Sequence, residues 1–274
     1  MLALTVTPTG PTLAHYPTPP MAYLDHWAFM AFAADERLTE RLVGALTRSG
    51  GTLAVSWLNL GEYATVTDHD QRLQAERFLD RILPALFCLD VEPFRVSGRE
   101  RSGIMWPHAD QGLASLFVTT REPTGQPFSA AGLCEPVTYP RLGTSREVLG
   151  EKLRDRLERL RQEHRETPAV RRDMARADRT PATQAATRTL TITRALVATF
   201  FPSLRRPITD HDARDVLHAI VPLAFCDAVL LDAALWDAVE RVRRSLPDLP
   251  MATAFSGRGD DVEHFLTALG RRSA

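Results

Sequence analysis

Four acids occupy comparable places along this chain, and together they define the chemistry it could do. Asp25 closes the β-prone run MAYLD, and Glu62 lies in NLGEYATV, where a short helix is expected to carry it on its first turns. Asp215 opens the periodic stretch DARDVLHAIV, and Asp232 closes the apolar run AVLL. In an open parallel sheet, strand ends and the helix starts that follow them meet at one edge. Carboxylates about 4 Å apart repel by several kcal/mol near a protein surface, so such a cluster needs a cation or raised pKa values. An all-oxygen set without His or Cys suits Mg²⁺ or Mn²⁺. Ions of this kind activate water and stabilise charge developing on a phosphodiester.

Each acid also has a plain structural role available. Asp25 and Asp232 can cap the helices that follow them, Asp215 can favour a helix N-terminus through the dipole, and Glu62 can sit on a helix surface. Asp212 lies three residues before Asp215 and shares its helical face, so either could be the helix acid.

The elements that must position these acids alternate between strand and helix. MAYL, TLAVSWL, AVLL and MATAF read as strands. After Asp25, HWAFMAFAADERLTERLVGALTRSG has helical periodicity, with Leu38, Leu42 and Leu46 at spacings of four and Gly50-Gly51 as a stop. DHDQRLQAERFLDRILPALF is an amphipathic helix with Leu73, Phe78, Leu79, Ile82 and Leu83 inward. LDVEPFRV is expected as a strand and ADQGLASLFVTT as a short helix, followed by a long Pro- and Gly-rich loop. Pro222 is expected to end or kink the helix that carries Asp215. Asp260 or Ser256 is expected to cap the last helix.

Alternating strands and helices predict an α/β fold: three α/β/α layers around a central, mainly parallel sheet, plus a helical insertion. Residues 1–20, rich in Thr, Pro and Gly, read as a flexible or strap-like N-terminal extension, and 21–274 as the α/β domain. The insertion, at about 145–200, is rich in arginine. From Glu151 to Arg188 it carries 11 basic and 7 acidic side chains. It is either a solvated helical pair braced by i,i+4 ion pairs or a basic lever for a phosphate backbone.

Bulk properties exclude several classes. A formal net charge of −1 over 274 residues argues against a generally basic nucleic-acid binder, though a local basic face is possible. Three cysteines, an odd number without CxxC spacing, speak against a disulfide framework or a zinc site and fit a reducing cytoplasm. No apolar run has the length of a membrane span, and the first twenty residues do not resemble a secretory signal.

The order Asp25, Glu62, Asp215, Asp232 resembles that of the PIN and PIN-like nucleases. YLD followed by HWAFMAF resembles the first strand and helix of that family, and SWLNLGEY its glutamate-bearing segment. DVLHAIVPLAFCDAVLLD is the closest match, with Asp215, His218, Cys226-Asp227 and Asp232 in the family's order. About half of the chain is touched by the likeness, which leaves out the N-terminal extension and the span from Leu89 to Arg206.

The resemblance implies a PIN-like fold and a metal-dependent endoribonuclease acting on RNA, in a toxin–antitoxin or defence setting. An antitoxin or other protein partner and a homodimer are compatible with it. It implies that Asp25, Glu62, Asp215 and Asp232 hold Mg²⁺ or Mn²⁺, with Asp227 as a supporting acid. The alternative is a non-catalytic PIN-like RNA-binding or scaffold protein. The chain departs from the pattern in placing His26 and Trp27 after the first acid, where a small hydroxyl or amide residue is usual. Its span between Glu62 and Asp215 also exceeds that of minimal PIN domains. His218 could position phosphate or water, or be a satisfied core histidine. Trp57, Trp106 and Trp236 could stack on bases, with core packing the plainer role for Trp57 and Trp236.

Overall fold

Short runs of apolar residues that alternate between large and small form the centre of the molecule. The structure, a computed structural model, describes residues 2–7, 10–63, 66–118, 128–130, 133, 151–162, 187–201 and 207–270. Five strands form the main sheet: β3 (Met21–Leu24), β4 (Thr52–Val55), β5 (Leu86–Cys88), β6 (Ala228–Leu231) and β7 (Thr253–Ser256). Their order is β5-β4-β3-β6-β7, and every pairing is parallel. The chain winds outward from β3 to β5 and then returns to lay β6 on the other side of β3. That reversal makes the gap between β3 and β6 a topological switch point, where such sheets bind ligands beyond the carboxyl ends of the strands.

Period-two alternation assigns each strand residue to a face. Ala22, Leu24, Leu53, Val55, Leu86, Cys88, Ala228 and Leu230 share one core. They pack under helices α1 (His26–Ala34), α2 (Glu36–Ser49), α4 (His69–Ile82), α6 (Gln111–Ser115) and α11 (Asp261–Gly270). Met21, Tyr23, Ala54, Phe87, Val229 and Leu231 share the opposite core. Above them lie α5 (Pro93–Arg101), helical residues 151–162 (α7), α8 (Arg188–Phe200), α9 (Asp210–Phe225) and α10 (Ala233–Ser245). Short α3 (Trp57–Tyr63) follows β4 at the sheet edge. The result is the three-layer α/β/α arrangement expected from the alternation, with strands buried on both faces.

Several local expectations change. The first long helical run is two helices, because Asp35 accepts from Arg37 and Leu38 N–H and starts α2 afresh. Gly50 does close α2, at φ 69°; a Cβ on the next residue, Gly51, would stand 2.5 Å from Pro20 O. Pro84 stops α4 through a 3₁₀ turn, so the strand is Leu86–Cys88, and LDVEPFRV leads into a helix instead. There Glu92 caps and Pro93 starts α5, the position where a missing N–H costs nothing. Pro222 does not end α9, which runs on to Phe225 with Cys226 N–H donating to Pro222 O at 2.8 Å. For the last helix, Asp261 Oδ2 accepts from Ser256 N–H and Oγ, and Asp260 contributes its carbonyl to His264 N–H.

In the N-terminal extension, β1 (Leu2–Thr7) and β2 (Gly10–His15) pair as an antiparallel hairpin. His15 fastens it to the main sheet: its Nε2 accepts from Cys88 N–H at 2.7 Å, and its ring lies 4.6 Å from that of Phe87. Only a neutral imidazole can accept there, and burial pushes the His15 pKa down to about 4. Most of the Pro- and Gly-rich loop and the arginine cluster 163–186 lie outside the described residues. In α7 the arginines pair within the helix and with neighbouring helices: Arg154 with Asp155 and Asp210, Arg156 with Glu92, and buried Arg161 with Glu158.

A candidate acidic site at the switch point

Asp25 is the first residue past β3 and ties three elements together. Its N–H donates to Leu230 O on β6 at 3.0 Å. Its Oδ1 caps α1 by accepting from Ala28 N–H at 3.1 Å, and its Oδ2 accepts from Asp232 N–H at 2.5 Å. Only 4% of its surface is exposed. Burial is the main reason its pKa rises to about 7; the two backbone donors and His218 oppose that rise, and Asp232 adds to it.

A second group of side chains runs beneath it. Ser56 follows β4, and Asn59 Oδ1 accepts from both its N–H (2.9 Å) and its Oγ (3.0 Å). Asn59 Nδ2 donates to Leu24 O at 2.9 Å, which locks α3 to the end of β3. That anchoring delivers Glu62 inward from the last turn of α3, not the first, with 8% exposed. Glu62 Oε2 meets His218 Nε2 at 3.1 Å and lies 3.6 Å from His26 Nδ1. On the other side of its ring, His218 Nδ1 is 2.8 Å from Tyr23 Oη, itself 3.2 Å from Ser56 Oγ.

The protonation of this chain follows from its charges. Burial alone would push the His218 pKa down, but the charge of Glu62 and its hydrogen bond, helped by Asp25 and Asp215, raise it. An imidazolium donates from both nitrogens, to Glu62 and to Tyr23. The phenol, kept neutral by burial, then donates to Ser56, which donates to Asn59 Oδ1. Every donor on this branch points away from His218. Tyr23, Ser56 and Asn59 were not among the expected site residues; the S-x-x-N spacing at the start of a helix, a local capping pattern, is the signal that carries Asn59.

Asp215 lies one turn before His218 on α9. It is half-buried, and burial raises its pKa, with Glu62 and Asp232 adding to the rise and His211 and His218 opposing it. His211 Nδ1 stands 3.3 Å from its Oδ1 at the mouth of the site. Asp232 N-caps α10, its Oδ1 accepting from Ala234 N–H (2.7 Å) and Leu235 N–H (3.0 Å).

The four acids thus come from four separate elements at the carboxyl edge of β3 and β6: Asp232 acts electrostatically on Asp25 and Asp215, Glu62 acts on Asp215, and His218 feels Asp25, Glu62 and Asp215. Two other acids do not join them. Asp212 is spent in a capping box with Thr209, its Oδ2 accepting from Thr209 N–H at 2.9 Å, which leaves Asp215 as the helix acid facing the site. Asp227 precedes β6 and accepts from Met21 N–H at 2.6 Å. A four-residue strand spans about 13 Å, so Asp227 marks the opposite edge of the sheet and is no supporting acid here.

The donor chemistry of this edge suits a hard divalent cation: carboxylate oxygens, buried or half-buried, with two of the four raised in pKa. Among the described residues, no three His, Cys, Asp or Glu side chains close on one point at metal-binding distances. Of the tryptophans, Trp57 packs against the core, and Trp236 donates from Nε1 to Ala254 O at 3.3 Å. Trp106 is 64% exposed. No helix among the described residues is long and apolar enough to cross a membrane. Comparisons with protein-family models, with curated proteins and with solved structures find no match for this chain.

Proposed function

We propose that this protein is a metal-dependent endoribonuclease whose active site is the acidic edge of β3 and β6. One observation carries the reading: four acids from β3, α3, α9 and β6 share one edge at the switch point, around a buried His218. The PIN-like order of those acids supports it, as does the sheet order with its reversal between β3 and β6. Asp25, Glu62, Asp215 and Asp232 would hold Mg²⁺ or Mn²⁺. A cation bound there supplies an activated water and screens charge on the phosphodiester.

The chain's own residues have distinct roles. Asp25, whose pKa burial pushes up to about 7, would be returned to its charged form by a cation bound beside it. His218 orients Glu62, and the Tyr23–Ser56–Asn59 branch fixes the imidazole ring. Asp232 is held rigidly by the first turn of α10, and half-exposed Asp215 faces the mouth, where substrate enters.

Incubating the protein with mixed-sequence RNA and Mn²⁺, with and without EDTA, beside Asp25→Asn and Asp215→Asn, tests this. Cleavage that stops with EDTA and falls at least 100-fold in both variants is expected. Cleavage indifferent to chelation, or equal in both variants to wild type, would end the metal-site reading.

A second reading, a non-catalytic RNA-binding or scaffold protein, draws on how fully the acids are engaged. Both oxygens of Asp25 accept backbone N–H groups, Asp232 caps a helix, and Glu62 pairs with His218. RNA retained in a gel shift but left intact with Mn²⁺ is its signature.

A further inference from the structure

The opposite edge of the sheet has a feature that the acidic site does not use. Beyond the amino ends of β6 and β7 lies an open cavity of about 370 Å³, within the size range of small-molecule sites. Its walls include Met105, Trp106, Phe225, Met251 and Arg188. Met105 and Trp106, 57% and 64% exposed, are among the few large apolar side chains that face solvent.

Among the described residues that line this cavity, Arg188 carries the positive charge. Its guanidinium lies 4.8 Å from the centroid of the Phe225 ring, and its buried Nε has no hydrogen-bond partner among the described residues. Burial lowers its pKa, with only Glu100 opposing. Glu100 is committed elsewhere: its carboxylate accepts from Thr189 N–H at 3.2 Å. Asp227, the acid on the rim, is engaged by Met21 N–H. A half-buried cation stacked on one aromatic ring, with an exposed indole on the wall of the same cavity, is matched by an anion joined to a flat ring. The guanidinium fork suits phosphate and carboxylate alike.

We infer that this cavity binds a small molecule made of a flat aromatic ring bearing a phosphate or carboxylate, the anion on Arg188 and the ring beside Trp106. The site is separate from the acidic edge and stands whether or not that edge cleaves RNA.

Calorimetric titration of the full chain with adenosine 5′-monophosphate and with indole-3-acetate tests it and tells the two anion sources apart. Adenosine and inorganic phosphate serve as the separated halves of the first, indole and acetate as those of the second. At least one joined compound is expected to bind saturably, at least tenfold tighter than either half. Arg188→Gln and Trp106→Ala should each weaken that binding about tenfold or more, the scale of one charge-assisted hydrogen bond or one stacked ring. Asp215→Asn, at the far edge, should leave it unchanged. Near-ultraviolet circular dichroism of each variant verifies its fold, and Arg188→Lys, which keeps the charge without the fork, should bind with intermediate affinity. Failure of both joined compounds to bind, a half binding as tightly as the bound compound that contains it, or equal affinity in a folded Arg188→Gln protein would overturn the inference.

Discussion

The two ends of one sheet show opposite solutions to buried charge. At the carboxyl edge of β3 and β6, negative charge is in excess, and the protein answers it with internal partners: backbone N–H groups for Asp25, a helix terminus for Asp232, and the His218 imidazolium for Glu62. At the amino edge of β6 and β7, a cation stands beside a cavity with no ion pair of its own among the described residues. The first edge is rigid because its groups are hydrogen-bonded in series. The second offers room, because its charge is left for something else to meet. Polar groups inside a protein are costly when unpartnered, so the contrast predicts different responses to mutation.

The largest expected effect is at the carboxyl edge. His218→Leu removes the imidazole from between Glu62 and Tyr23 and should destabilise the fold by about 3–5 kcal/mol, as breaking a buried charged pair does; chemical denaturation at pH 7 measures it. A loss under about 1 kcal/mol would mean that the chain Glu62–His218–Tyr23 does not hold this edge together.

Asp25 gives the same edge a pH signature. Its folded pKa of about 7 lies above the ordinary carboxylate value, so the folded state binds this proton more tightly than the unfolded chain does. Its stabilising contribution is full below about pH 4 and is lost as the pH rises towards 7, amounting to at most about 4 kcal/mol. Denaturation between pH 4 and 8 in the presence of EDTA should show this slope in wild type and not in Asp25→Asn. Parallel profiles would place the Asp25 pKa near its ordinary value.

Smaller effects separate neighbouring residues. Asp212→Ala should cost about 1 kcal/mol of thermal stability, the worth of a helix cap, and leave any RNA cleavage intact, whereas Asp215→Asn should abolish cleavage. At the amino edge, Arg188→Gln should change stability by less than about 1 kcal/mol, since no ion pair is broken. A loss as large as that of His218→Leu would erase the contrast between the edges.

The acids of the carboxyl edge were legible because position along the chain decides them. A strand that ends on Asp25 or Asp232 must place that side chain at the sheet edge, whatever the rest of the fold does. The layers and the parallel sheet were legible for the same reason, since alternation of strand and helix leaves few arrangements. What escaped depends on atoms meeting across the chain. Tyr23 reads as one more strand residue, and only the return of β6 beside β3 brings α9 and His218 to its hydroxyl. Asp227 was misplaced because adjacency to Cys226 and Asp232 in sequence hides a whole strand's length in space. Asp212 and Asp215 shared a face, and the choice fell to Thr209, which claims Asp212 for its capping box. β5 was assigned three residues late because Pro84 ends α4 early, and the Thr, Pro and Gly residues interspersed among the apolar ones hid the hairpin at the N-terminus.

Direct binding of Mn²⁺, followed by electron paramagnetic resonance in wild type, Asp215→Asn and Asp227→Asn, tests most directly the claim that the carboxyl edge is the working one. Saturable binding that weakens at least tenfold in Asp215→Asn and less than about twofold in Asp227→Asn is expected, since only Asp215 faces the cluster. No saturable binding in wild type, or equal weakening in the two variants, would contradict it.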